Sequence, residues 1–224
     1  TLNGATVALF NMEMGAEQLA TRMLSSVGQI DNNRLRSGNL EHQDWKRVNE
    51  AISRLADTNI FMDDTPGMTI GEIRAKCRRL ASSEKGLGII IIDYLQLITG
   101  STKGTNRQQE IAEISRSLKT MAMELNVPVI ALAQLSRSVE QRDDKRPILS
   151  DLRESGSIEQ DADIVGFLYR EDYYTKQMSI DEQTSKSTFI IAKHRNGITK
   201  DINLIFKLNT STFLDYQNEE NVGD

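Results

Sequence analysis

Gly88-Ile89-Ile90-Ile91-Ile92-Asp93 is an unbroken β-branched run that ends in a carboxylate, and Tyr94-Leu95-Gln96-Leu97 follows it. Four consecutive isoleucines cannot alternate between a wet face and a dry one, so the run reads as a central strand of a parallel sheet covered on both faces. Asp93 then stands at the carboxyl end of that strand. In open α/β sheets ligands bind at this edge, because the strand ends and the loops leaving them form the crevice. A carboxylate there is placed to hold Mg²⁺, directly or through water, beside a nucleotide phosphate. This is the Walker B pattern. Taken alone, the same residues also describe a buried strand whose Asp caps the next turn.

The flanking sequence alternates strand and helix. Thr6-Val7-Ala8-Leu9-Phe10 reads as a buried strand, followed by a turn at Asn11-Met12-Glu13-Met14-Gly15 and a helix from Ala16 that carries Arg22. Residues 31–39 read as a polar loop. Trp45, Val48, Ile52 and Leu55 then recur at spacings of three and four, predicting one apolar stripe on a second helix. Ile60-Phe61-Met62 is a short strand that ends in turn chemistry at Asp63-Asp64-Thr65-Pro66-Gly67. Thr69-Ile70-Gly71-Glu72 matches a capping box, and Ile70, Ile73, Cys77 and Leu80 mark the buried face of the helix it opens. Residues 99–106 form a polar loop expected to be mobile. Residues 107–125 keep a strict three-four rhythm through Ile111, Ile114, Leu118, Met121 and Leu125. Residues 127–132 are another apolar strand, which delivers Gln134 at its end. The alternation predicts right-handed crossovers and a doubly wound, mostly parallel α/β sheet.

Beyond Leu135 the character changes. Residues 136–146 hold Arg137, Arg142, Lys145 and Arg146 with almost nothing to bury, and so read as a loop. Residues 150–163 follow, then a strand over 164–169 and a hydrophilic connection over 172–187. The ending predicts antiparallel strands over 187–192, 202–208 and 213–216, with Asn196-Gly197 as a hairpin turn. One domain is expected over residues 1–216, with a polar tail over 217–224.

Composition narrows the function classes. A net charge of −5 excludes a bulk attraction for nucleic acid, so any contact must come from locally placed Lys and Arg. A single cysteine, Cys77, excludes an internal disulfide and a cysteine zinc site, and fits a cytoplasmic setting. No run of about 18 apolar residues is present, so no membrane partner is expected. Aromatic residues make up only 5% of the chain, which argues against base-stacking platforms.

Glu13, Asp93 and Gln134 end three strands on one edge of the predicted sheet. A nucleoside triphosphatase needs this set: Asp93 to stabilise Mg²⁺, Glu13 to orient and deprotonate the attacking water, and Gln134 to contact the γ-phosphate and report its loss. Each taken singly also serves to satisfy a loop backbone. Lys193-His194-Arg195-Asn196-Gly197 presents two cations on a tight turn, as a finger into a phosphate requires. Arg153-Glu154-Ser155-Gly156 offers an Arg and a Gly suited to sequence-independent grip on a single strand, though its composition is that of an ordinary loop.

Together, Asn11-Met12-Glu13-Met14, Asp93-Tyr94-Leu95-Gln96-Leu97, Arg107-Gln108-Gln109-Glu110, Ala133-Gln134-Leu135-Ser136-Arg137, residues 150–163 and residues 193–197 resemble the carboxy-terminal motor domain of the DnaB-type hexameric replicative DNA helicases, in order and over nearly the whole chain. The resemblance implies a RecA-like ATPase, binding ATP and Mg²⁺, that forms a homohexameric ring and moves 5′ to 3′ on single-stranded DNA. It implies Glu13 as catalytic glutamate, Asp93 as the Walker B metal carboxylate and Gln134 as γ-phosphate sensor. Lys193 and Arg195 become fingers into the adjacent subunit's site, and Arg22 a further nucleotide contact. Arg153, Glu154 and Gly156 match the loop that tracks DNA in the pore. A helicase loader, and primase through an amino-terminal domain, are the implied protein partners.

The 224 residues contain no Gly-x-x-x-x-Gly-Lys-[Ser/Thr], which the family carries ahead of its first strand. The sequence is therefore expected to be a fragment that binds ATP poorly and is inactive alone. Two rivals stand beside this assignment: another RecA-family repair ATPase, and a non-catalytic ring component that binds loader or DNA without hydrolysis.

Overall fold

The computed structural model describes residues 4–100, 106–175 and 183–216, so the expected tail at 217–224 and most of the loop at 99–106 lie outside the described residues. In chain order the α-helices among the described residues are α1 (Ala16–Gly28), α2 (Asn32–Ser37), α3 (His42–Ala56), α4 (Ile70–Ala81), α5 (Arg107–Leu125), α6 (Gly156–Asp161) and α7 (Glu171–Thr175). Contacts divide the chain into two compact units. The first draws on Thr1–Ala20, Ile52–Ser138 and Leu149–Ala162, and the second on Thr21–Ala51, Val139–Ile148 and Asp163–Asp224.

The first unit is built on a parallel sheet of β1 (Val7–Asn11), β2 (Ile60–Asp63), β3 (Ile89–Asp93) and β4 (Val129–Ala131), in the order β2-β1-β3-β4. β1 pairs with β3 in register from Val7↔Ile89 to Asn11↔Asp93. Successive strand residues point to opposite faces, and the isoleucine run obeys this. Ile90 and Ile92 are fully buried with Ala8 and Phe10 against Ile73, Cys77, Ile111, Ile114, Leu118 and Met121. Ile89 and Ile91, on the other face, are only half-buried. The strand is thus covered on both faces, one more fully than the other. Gly88 starts the strand where the chain passes very close to its neighbour: a Cβ there would sit 2.9 Å from the Ala5 Cβ and 3.2 Å from the Thr6 carbonyl oxygen.

The helices over that packed face form as their sequences predict. α4 opens with the Thr69–Glu72 capping box, both halves of which are made. α5 is capped by Asn106 and stopped by Asn126, which turns left-handed at φ 52°. Glu124 accepts from both Arg74 and Arg78 and ties the two helices together. Cys77 is fully buried, and burial pushes its thiol up to about 12, which leaves it an unreactive core residue.

The second unit contains an antiparallel sheet, β5 (Ile164–Tyr169), β6 (Thr184–His194), β7 (Lys200–Lys207) and β8 (Thr212–Asp215), in that order. β5 therefore joins the carboxy-terminal strands and not the parallel sheet. β6 begins three residues earlier than expected, and the short α7 occupies part of the expected hydrophilic connection. The ring of Phe189 covers Gly166, where no Cβ fits, and a register shift between Val165 and Gly166 bends the strand there.

Three further expectations are corrected in this unit. Residues 31–39 are not a loop: Asp31 Oδ1 accepts from the N–H groups of Asn33 and Arg34 at 2.8 and 3.1 Å, and Gly38 closes α2 at φ 72°. In α3 the buried face is Asp44, Val48 and Ala51, while Trp45 and Ile52 are 55% and 48% exposed. The face is turned because Asp44 accepts from the Glu41 N–H and the Arg34 guanidinium at the helix start. Finally, neither Asn196 nor Gly197 adopts a left-handed conformation, and the β6–β7 turn runs over residues 195–199 and not as a two-residue Asn-Gly hairpin.

The segment at 136–146 has more structure than a loop. It contains a 3-10 turn, Arg137–Gln141, with Val139 buried. Lys145 donates to the carbonyls of Glu140 and Arg142 at 3.1 and 3.2 Å, and Arg146 pairs with Asp201.

Candidate nucleotide site

The chain leaves β1 for β2 on one side, and β3 for β4 on the other. The direction of winding therefore reverses between β1 and β3, which is where an open parallel sheet forms its ligand crevice. Asn11 and Asp93 are the last residues of those two strands and stand opposite each other.

Asn11 is 3% exposed and uses both ends of its amide. Its Nδ2 donates to Asp93 Oδ2 at 3.3 Å, and its Oδ1 accepts from the N–H groups of Glu13 and Met14 at 3.1 and 2.9 Å. The Met12 N–H adds a bond to the Asp93 carbonyl at 3.0 Å. One buried amide thus fixes the Asp93 carboxylate and the backbone of Glu13 together, and the exposed Glu13 side chain starts from a defined position. On the far side of β1, Asp64 accepts from the Ala16 N–H at 2.8 Å and so places a carboxylate at the start of α1.

Gln134 is positioned from the 3-10 turn, Leu95–Leu97, that follows β3. Its N–H donates to Gln96 Oε1 at 3.2 Å, and Gln96 Nε2 donates back to its carbonyl at 3.0 Å. Bonds of 2.9 Å from Leu132 N–H to the Ile92 carbonyl, and from Leu95 N–H to the Leu132 carbonyl, continue the ladder past β4. Arg107 donates to the Gln96 carbonyl and to Glu110. The Arg107 guanidinium holds the Glu110 carboxyl below its usual range; partial burial opposes this, and the Gly100 N–H at 2.7 Å supports it.

Two residues beyond Gln134, the Ser136 N–H donates to the Asp151 carbonyl at 3.0 Å. Asp151 and Leu152 are buried within a 3-10 segment, Leu149–Ser155, and Gly156 opens α6. Arg153 and Glu154 belong to that segment, and their side chains lie outside the described residues.

The structure brings Glu13, Asp93 and Gln134 onto one edge of one sheet, as the sequence predicts. Lys193 and Arg195 belong to the second unit, as does Arg22, which is exposed on its helix. Lys193 pairs with Val165 across the sheet; the Arg195 N–H donates to the Asp163 carbonyl at 2.8 Å, and its Nη1 meets Asp163 Oδ1 at 2.9 Å. Sequence reasoning missed Asn11, Asp64 and Gln96. The available signal for Asn11 was an amide ending an apolar strand whose neighbour ends in a carboxylate.

Among the described residues no group of three His, Cys, Asp or Glu side chains is arranged to hold a metal ion. A single strand-end carboxylate nevertheless suits Mg²⁺, which keeps several waters and takes one or two carboxylates with phosphate oxygens. Among the described residues no helix is long and apolar enough to cross a membrane.

Comparison with known proteins agrees with this geometry. The family model of the DnaB-like helicase C-terminal domain matches residues 1–215. The chain is 55% identical over 218 residues to the replicative DNA helicase DnaC of Bacillus subtilis, covering 97% of this chain and 47% of that protein. It is 56% identical over 207 residues to the replicative DNA helicase DnaB of Geobacillus stearothermophilus, covering 92% and 45%. Among solved structures it resembles a DnaB-like replicative helicase studied with its interactions with primase (TM-score 0.90, 41% identity, 96% of this chain and 51% of that one). It resembles a second solved structure, that of an ATPase domain, equally, at TM-score 0.90 and 41% identity, over 96% and 76%. The RecA-like α/β fold expected from the sequence is the fold these neighbours share. The chain spans about half the length of the curated relatives it matches. On a family match over residues 1–215 and identities of 55% and 56% to two replicative helicases, the chain belongs to the DnaB-like helicase C-terminal domain family.

Proposed function

We propose that the chain is the ATPase motor of a replicative DNA helicase, working as a homohexameric ring that moves 5′ to 3′ on single-stranded DNA. The observation that carries this is the pairing of Asn11 with Asp93 at the switch point between β1 and β3, with Glu13 fixed by the same amide. In this role Glu13 takes a proton from the water that attacks the γ-phosphorus, the bond between that phosphorus and the β–γ bridging oxygen breaks, and ADP leaves with the bridging oxygen. Asp93 would hold Mg²⁺, which would supply positive charge to the phosphate oxygens. Gln134 senses the γ-phosphate, and Lys193 and Arg195 stabilise its developing charge from the adjacent subunit, with Arg22 as an added nucleotide contact.

The bond from Ser136 to Asp151 supports a mechanical link from Gln134 to Arg153, Glu154 and Gly156, which grip the DNA backbone. Primase and a helicase loader are the proposed protein partners; the solved helicase studied with its interactions with primase supports the first.

The test is DNA-stimulated ATPase activity of the full-length protein, with subunits that carry both Glu13→Gln and Arg195→Ala mixed into wild type in varying proportion. A finger in trans contributes about 10³–10⁵ in rate, so a site then works only where its own subunit and the neighbour that supplies the finger are both wild type, and mixing should cause a more than proportional loss. A loss proportional to the mutant fraction means self-contained sites and removes Lys193 and Arg195 from the mechanism. No activity in wild type means a non-catalytic ring component.

A further inference from the structure

Arg195 is bound twice to one residue. Its N–H donates to the Asp163 carbonyl at 2.8 Å, one step beyond the Ile164↔His194 pair of β5 and β6. Its Nη1 meets Asp163 Oδ1 at 2.9 Å, and the two side chains are 49% and 52% exposed. The first is a backbone bond just past the end of the β5–β6 pairing. The second is an ion pair open to solvent, which a stronger anion can displace.

Asp163 also has a particular place in the chain. It follows α6, a six-residue helix that begins at Gly156, directly after Arg153, Glu154 and Ser155. The loop assigned to DNA and the carboxylate that holds Arg195 are therefore joined in the chain by α6 and Ala162 alone.

We propose that Asp163 is a positioning residue that holds the Arg195 guanidinium in cis and releases it to the nucleotide phosphate of a neighbouring subunit. Movement of the DNA-gripping loop, passed along α6, then sets how readily release occurs. The inference rests on Arg195 acting as a finger in trans. An exposed ion pair favours its bound form only about two- to fivefold. Phosphate oxygens carry more charge and match the guanidinium fork in a bidentate manner, so they win when in reach. When the phosphate departs, the carboxylate takes the guanidinium back.

The experiment compares the full-length wild type with Asp163→Asn, Asp163→Glu, Arg195→Ala and the double variant Asp163→Asn/Arg195→Ala, measuring ATPase kcat and KM with and without single-stranded DNA. Asp163→Asn should raise the DNA-free kcat about two- to fivefold and shrink the stimulation by DNA by the same factor. Asp163→Glu should restore wild-type stimulation. In the Arg195→Ala background Asp163→Asn should change nothing. If its effect is the same in both backgrounds, or if Asp163→Glu behaves like Asp163→Asn, the cis hold is overturned while the finger stands. If Arg195→Ala alone leaves kcat intact, the finger itself fails, and the inference goes with it.

Discussion

At the scale of the residue, Asn11 carries more of the site's geometry than either acid it serves. Its amide is buried, so its three hydrogen bonds are made away from competing water, and removing it strands the N–H groups of Glu13 and Met14. Asn11→Ala should therefore cost about 1–3 kcal/mol of stability, read as a drop in Tm. It should also lower ATPase kcat by tenfold or more, on the order of what a small misplacement of a catalytic group costs, with KM little changed. Asn11→Asp keeps an acceptor for those N–H groups but sets a second carboxylate about 3.3 Å from Asp93. One of the two must then hold a proton to a higher pH, so its pH–rate profile should move toward alkaline pH. A kcat equal to wild type in both variants would remove Asn11 from the site. Glu13, Asp93 and Gln134 were legible in the sequence because each ends an apolar run. Asn11 was not, since an amide at a strand end looks like an ordinary turn former until the partner strand is known.

At the scale of the element, the sheet edge is fastened to the helix layer by β2 and α4. Asp63 ends β2 and accepts from Lys76 of α4 and from the N–H and hydroxyl of Thr65, at 3.2 and 2.7 Å. Partial burial pushes the Asp63 carboxyl up, but Lys76 and Thr65 together outweigh it and hold the group below its ordinary value. A carboxyl depressed in the folded state contributes stability that is fully present above its unfolded value of about 3.9 and is lost as pH falls through the folded value. Asp63→Asn should therefore destabilise the protein at pH 7 by about 1 kcal/mol or less, the scale of a solvent-screened pair. The gap from wild type should close as pH is lowered below about 4. A gap that persists unchanged in acid would show that the loss is steric and not ionic. The elements that sequence revealed best are those whose signals are local: the capping box of α4 and the three-four rhythm of α5. The short α2 was hidden because its apolar content is slight and its start depends on a side-chain cap. The turned face of α3 was hidden because a buried Asp44, satisfied by Arg34 and the Glu41 N–H, does not look like a core residue.

At the scale of the whole molecule, alternation of strand and helix foretold a parallel sheet, but it could not say that β5 would pair with β6 and not with β4. That choice depends on long-range pairing, which leaves no local periodicity. Charge is the whole-molecule property with the clearest consequence for function. With a net charge of −5, the chain as a whole does not attract a polyanion, so the proposed grip on single-stranded DNA requires a few locally placed cations. Each phosphate neutralised on a single strand contributes about −0.7 to the slope of log K against log salt. The slope for the full-length protein, measured by fluorescence anisotropy of a labelled oligonucleotide across a salt series, therefore counts the phosphates neutralised. If Arg153 tracks the backbone, Arg153→Ala should make the slope shallower by about 0.7 and weaken binding equally for oligonucleotides of different sequence. If slope and affinity are unchanged, the grip is not at the turn before α6, and the bond from Ser136 to Asp151 has no DNA contact to drive.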